Sequence, residues 1–99
     1  MTTTIVKNLI IRNRHFTIVK NGDGFYLAIE DKYITDGKLN QTLNGMQMHA
    51  SRELNQCIED TKNTVEIDWL VSQGHSMAEA FAIHFNMLDQ LDSIKKAFA

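Results

Sequence analysis

Four histidines and one cysteine are the side chains best equipped for metal binding or nucleophilic chemistry: His15, His49, His75, His84 and Cys57. Their spacing organises them for neither. No two histidines stand four apart, and no CxxC or HExxH pattern occurs. A nucleophilic Cys57 needs a base beside it and a third group to orient that base. Nothing in the spacing supplies one, and no GxSxG elbow is present. Gly22 and Gly24 lie between two strand-like runs, whereas a phosphate-cradling loop leads from a strand into a helix. Glu59 and Asp60 are adjacent, but neighbours on a helix point about 100° apart and make no carboxylate dyad. The reading is therefore a protein that is not an enzyme and that calls for no cofactor and no metal. Cys57 reads as a small buried apolar residue, and His84 as a packed or partly exposed histidine on the apolar side of its helix.

Charge is more informative than chemistry. The 99 residues carry a formal net charge of −2, with 43% apolar and 22% charged residues, the profile of an ordinary globular chain. That balance hides a segregation. From Met1 to Lys20 the only charges are Lys7, Arg12, Arg14 and Lys20. Between Glu53 and Asp92, Lys62 is the one basic residue among Glu53, Glu59, Asp60, Glu66, Asp68, Glu79, Asp89 and Asp92. A basic N-terminal segment thus precedes an acidic helical one. No apolar run approaches the ~20 residues a membrane-spanning helix needs, and the N-terminal residues lack the pattern of a secretory signal. One cysteine makes no intrachain disulfide. A cytoplasmic protein is the expectation.

The elements that must position these charges follow from periodicity. Leu54, Ile58, Thr61, Val65 and Trp69 recur at helical spacing through SRELNQCIEDTKNTVEIDWLVSQ, and predict one long helix over Ser51–Gln73. Its start is open to an earlier position within Met46–Ala50. Ile67, Leu70 and Val71 form a second apolar set, so the later turns are expected to be covered on two sides. Gly74 follows as a left-handed cap. Upstream, Thr4–Arg12, His15–Lys20 and Phe25–Glu30 read as strands, joined by a turn at Asn13-Arg14 and another at Asn21–Gly24. Phe25, Leu27 and Ile29 share one face, and the long helix is the natural cover for such a sheet. Asp36-Gly37 marks a turn. Leu39, Leu43 and Met46 suit a short helix, while Met46 and Met48 equally suit an extended segment. After Gly74, Ser76 and Glu79 form a capping-box pattern. The helix behind it places Met77, Phe81, His84 and Leu88 on one side and either breaks near Asn86 or runs on past Leu91 to Phe98.

Between Gly24 and Phe85, including FYLAIED and EDTKNTVEID, the chain resembles small accessory proteins carried by phages and mobile elements of Gram-positive bacteria, a group that includes anti-CRISPR proteins. The likeness is one of size, α/β order and acidic helices. It implies a non-enzymatic inhibitor that occupies a target-recognition surface on a Cas nuclease, and it assigns no site residues.

These readings predict a single α+β domain over residues 1–99: a three-stranded antiparallel meander packed on a long helix, followed by one or two C-terminal helices. The expected function is binding to a protein partner with a basic surface through the acidic face of Glu53, Glu59, Asp60, Glu66 and Asp68. A solvated face that only keeps the chain soluble is the plain alternative. A helix-turn-helix around Gly74 is another, although the would-be recognition helix carries Glu79 and no cation before Lys95, which disfavours contact with phosphates. A homodimer through Trp69, Leu70, Leu91 and Phe98 is a third expectation.

Overall fold

Alternating and β-branched residues at the start of the chain pair into a sheet. The computed structural model describes residues 4–35, 38, 39 and 48–99. Strands β1 (Thr4–Ile11), β2 (Arg14–Lys20) and β3 (Tyr26–Glu30) form the expected antiparallel meander. A 3-10 turn (Asp31–Tyr33) follows, then a two-residue pair, β4 (Ile34–Thr35) with β5 (Lys38–Leu39). Strand β6 (Met48–Ser51) joins β3 antiparallel and completes a four-stranded sheet in the order β1-β2-β3-β6. The fold is α+β as expected, with one more strand in the main sheet. That strand gives Met48 the extended conformation that is one of its two readings, and takes residues up to Ala50 that the other reading gives to an early helix start. Leu39 lies in β5 instead of a helix; Leu43, Met46 and the Asp36-Gly37 turn lie outside the described residues.

Two turns set the sheet's geometry. The β1–β2 turn is Arg12-Asn13, one residue earlier than expected, and both residues have positive φ, 47° and 63°. That is the backbone of the two-residue turns whose twist suits a hairpin. In the β2–β3 turn, Asn21 Oδ1 accepts hydrogen bonds from the backbone N–H of Asp23 and of Phe25, each at 3.0 Å. This is the Asx geometry that suits asparagine to turns.

Helix α1 (Leu54–Ser72) starts three residues later than predicted. The Ser51 hydroxyl accepts from the Glu53 N–H at 3.1 Å, and the Glu53 carbonyl accepts from the Cys57 N–H at 3.1 Å. Glu53 therefore stands at the cap, not within the helix. After α1 come α2 (Met77–His84), a 3-10 turn (Leu88–Gln90) and α3 (Leu91–Ala97). The described chain gathers into two compact units, Met1–Thr61 and Lys62–Ala99, and α1 runs through the boundary.

In the first unit the core joins sheet to helix: Ile18, Ala28 and Cys57 are fully buried, with Leu9, Tyr26, Leu54 and Ile58 packed around them. Ile18 and Ala28 are register partners, so α1 meets the face that carries Tyr26 and Ala28. Leu27 and Ile29, which share a face as expected, lie on the other one. Ala28 explains the choice, because its small side chain lets the helix approach at Cys57. Strand β2, flanked on both edges by β1 and β3, is buried along Phe16, Thr17, Ile18 and Val19.

In the second unit Val65 and Ile94 are buried, and the buried residues of α2 are small. Ala78, Ala80 and Ala82 are buried along α2, and Ala78 and Ala82 cluster with Ile94 of α3. The larger side chains expected on the packed face sit further out: Met77 is 46% and Leu88 57% exposed, while Phe81 and His84 are half-buried. Short helices pack closely only through small residues, and the bulky ones move to the flanks. The capping box is present, with the Ser76 hydroxyl accepting from the Glu79 N–H at 3.1 Å and the Glu79 carboxylate accepting from the Ser76 N–H at 3.0 Å. These bonds hold the Glu79 carboxyl below its ordinary pKa. The helix breaks at Asn86, φ 55°.

Candidate protein-binding surface

On α1 the helical repeat decides which acids share a face. With about 100° per residue, the buried stripe runs through Cys57, Thr61 and Val65, all almost inaccessible. The Thr61 hydroxyl is satisfied by donating to the Cys57 carbonyl at 2.7 Å, which is how a polar residue joins an apolar stripe. The acids fall on two other lines. Glu53 and Asp60 are seven residues apart and align, as do Glu59 and Glu66. The two lines are separated by roughly a third of a turn of the helix circumference.

Glu53 and Glu59 are exposed. Asp60 is half-buried, and its Oδ1 accepts from Gln56 Nε2 at 2.8 Å, so its carboxylate is held in place. Glu66 is half-buried, and exposed Lys62 stands three residues after Glu59 and four before Glu66, close enough to soften the field of that line. Asp68 does not join either line. Its position falls between those of Cys57 and Thr61 on the buried side of the repeat, and it is half-buried. The five acids expected on one face therefore resolve into two lines of two, with Asp68 apart.

Further along α1, the strip between the two acidic lines changes character. Asn63 follows Gln56 by two turns on that strip, and its Oδ1 accepts from His84 Nε2 of α2 at 2.8 Å. The second apolar set, Ile67, Leu70 and Val71, lies around the same strip. Glu53, Gln56, Glu59 and Asp60 thus form the solvent-facing acidic stretch, confined to the first two turns. The His84 ring also lies edge-on to Phe85 at 4.8 Å, the packed histidine that sequence reading expected. The Asn63 partner escaped that reading, because residues 21 apart announce no contact until both helices are placed.

The remaining chemistry-bearing residues are dispersed. Cys57 is buried, and desolvation, with the nearby Asp60 charge adding to it, pushes its thiol pKa up, which removes nucleophilic character. Among the described residues no group of three or more His, Cys, Asp or Glu side chains is placed to hold a metal ion. A bidentate ion pair lies on the sheet. Arg14 donates from Nε and Nη2 to the two carboxylate oxygens of Glu30 at 2.9 and 2.8 Å, and Lys32 Nζ stands 3.7 Å from Glu30 Oε1. The Arg14 bonds hold the Glu30 carboxyl below its ordinary pKa, against the opposing effect of burial. The pair joins the start of β2 to the end of β3, and only the strand register brings them together.

Helix α2 carries Glu79 and no Lys or Arg, and its Ala78, Ala80 and Ala82 are buried. Among the described residues no helix is long and apolar enough to cross a membrane. Compared with family models, with curated proteins and with solved structures, the chain matches none.

Proposed function

We propose that the chain is a non-catalytic binding protein whose acidic contact is the first two turns of α1, centred on Glu53, Glu59 and Asp60, with Glu66 continuing one line. The observation that carries this reading is the solvent exposure of Glu53 and Glu59 beside a carboxylate, Asp60, that Gln56 fixes in place. Fixed, outward carboxylates complement a cationic surface and speed encounter with it. The resemblance to phage accessory proteins makes a Cas nuclease, whose nucleic-acid channel is cationic, the first partner to try. A DNA-binding role gains no cation from α2.

The test is association of the purified chain with such a nuclease, followed against salt. The triple variant Glu53→Lys, Glu59→Lys, Asp60→Lys is expected to slow association at least tenfold at low salt, with the difference shrinking as salt rises. An unchanged on-rate removes this face from the reading. Self-association is the second reading, favoured by the exposure of Trp69 and Phe98. Light scattering decides it, since a monomer at high concentration excludes it.

A further inference from the structure

Strand β1 is the outer strand of the four-stranded sheet, and among the described residues no strand pairs with its far side. It is eight residues long, against four for the opposite edge strand β6. A long open edge is a template for another strand. Its apolar side chains are unusually bare: Ile5 is 68% and Ile10 66% exposed. Their register partners are Val19 and His15, which alternate along β2 with Thr17, so both isoleucines lie on the sheet face opposite the Cys57 core. The register shift between Ile5 and Lys7 brings this about, because five residues of regular strand would put them on opposite faces.

The charges borne by β1 and the turn after it have a single sign, while the Asp31 carboxylate accepts from the Thr17 hydroxyl at 2.7 Å on the neighbouring strand. Lys7 lies within β1, Arg12 follows it, and no acidic residue occurs before Asp23. We propose that β1 accepts an extended acidic and apolar segment of another protein by antiparallel or parallel strand addition. The open backbone edge supplies main-chain hydrogen bonds, Ile5 and Ile10 cover apolar side chains of the incoming strand, and Lys7 on the other face selects carboxylates. A second copy of β1 brings the same cations against each other, which cross-strand pairing disfavours. A nucleic acid matches the cations but leaves Ile5 and Ile10 in water. This surface is separate from the acidic turns of α1 and does not depend on that reading.

The experiment titrates the isotope-labelled full chain with a capped nine-residue peptide alternating valine and glutamate, and with its valine–lysine counterpart. The glutamate peptide is expected to bind at least tenfold more tightly and to shift the amides of Thr4–Ile11 most. The double variant Ile5→Glu, Ile10→Glu is expected to weaken it at least tenfold, and Lys7→Glu, at a single exposed position, to weaken it in the same direction. Circular dichroism establishes that each variant is folded. Equal affinity for the two peptides, no binding, or shifts centred away from β1 overturns the proposal. So does a dimer of the chain alone that the Ile10→Glu change abolishes, or a short DNA duplex that displaces the peptide from the same amides.

Discussion

The two units of this chain solve the same problem with opposite materials. In the first, the sheet hides large side chains, with Phe16 and Ile18 almost inaccessible. In the second, the short helices hide three alanines and Ile94, while Met77, Phe85, Leu88 and Phe98 stay substantially exposed. The Phe81 ring meets Phe85 at 4.7 Å and Phe98 at 5.6 Å in tilted contacts, so part of that apolar surface is shared among rings. A sheet offers a broad surface on which bulky residues from distant points of the chain interdigitate. Helices of seven and eight residues offer narrow ones that meet closely only where side chains are small. Burial in this molecule therefore follows available volume and not hydrophobicity alone.

The contrast predicts opposite sensitivities. Ile18→Ala opens a cavity between Ala28 and Cys57 and is expected to cost about 3 to 4 kcal/mol in urea unfolding. In the second unit the damaging change is an addition. Ala82→Leu forces extra carbons into a site with no accessible surface and is expected to cost about 2 kcal/mol. A tolerated Ala82→Leu, folded and close to the parent in stability, means that the alanine contacts are loose and the comparison fails.

This difference also explains what could be read from the sequence. The strands were legible because β-branched runs and Asn-Gly turns are local signals, and α1 was legible from the spacing of Leu54, Ile58, Thr61 and Val65. Which sheet face meets α1 was not legible, because alternation shows that Leu27 and Ile29 share a face but not that the small Ala28 on the other lets the helix approach. Periodicity weighs size, which placed Met77 and Leu88 inside and overlooked Ala78 and Ala82. Asp68 was grouped with the other acids by proximity along the chain, although the helical repeat carries it to the buried side. Strand β6 was left open between an extended segment and an early helix start, because the four alternating residues MHAS carry no β-branched side chain, and its pairing with β3 decides between them.

The Arg14–Glu30 pair tests the first unit from its polar side. With Glu30 almost buried and its folded pKa depressed, its contribution is present above the ordinary carboxylate value of about 4.3 and is lost as pH falls through the folded pKa. Arg14→Ala leaves a buried carboxylate without its main partner, and Lys32, with a well-exposed side chain, restores little. The expected loss is about 2 kcal/mol near neutral pH. Below pH 4 the gap between parent and variant should narrow, since protonation removes the charge that Arg14 compensates. A gap independent of pH assigns the loss to the packing of Arg14 over the Phe16 ring, 5.4 Å from its centroid, instead of to the ion pair.

The smallest effects sharpen the comparison from the helical side, where ends matter more than interiors. Both α1 and α2 close with the same pair of bonds. His75 N–H donates to Leu70 carbonyl and Gly74 N–H to Val71 carbonyl, at 3.3 and 3.0 Å; Met87 N–H donates to Ala82 carbonyl and Asn86 N–H to Ile83 carbonyl, at 2.7 and 3.2 Å. Each is a Schellman closure, with Gly74 in one and Asn86 in the other at the left-handed position. Their dihedrals differ: φ is 105° at Gly74 and 55° at Asn86. The second value lies where asparagine is tolerated, and the first lies beyond it. A Cβ at Gly74 would meet no atom within 4 Å, so any cost of Gly74→Ala, expected at about 1 to 2 kcal/mol, comes from the backbone alone. Asn86→Gly should change stability by only a few tenths of a kcal/mol, because asparagine already accepts that conformation. Thermal melting of the two variants side by side separates them. If Gly74→Ala melts with the parent, the α1 end relaxes at no cost, and the closure does not hold the helical unit.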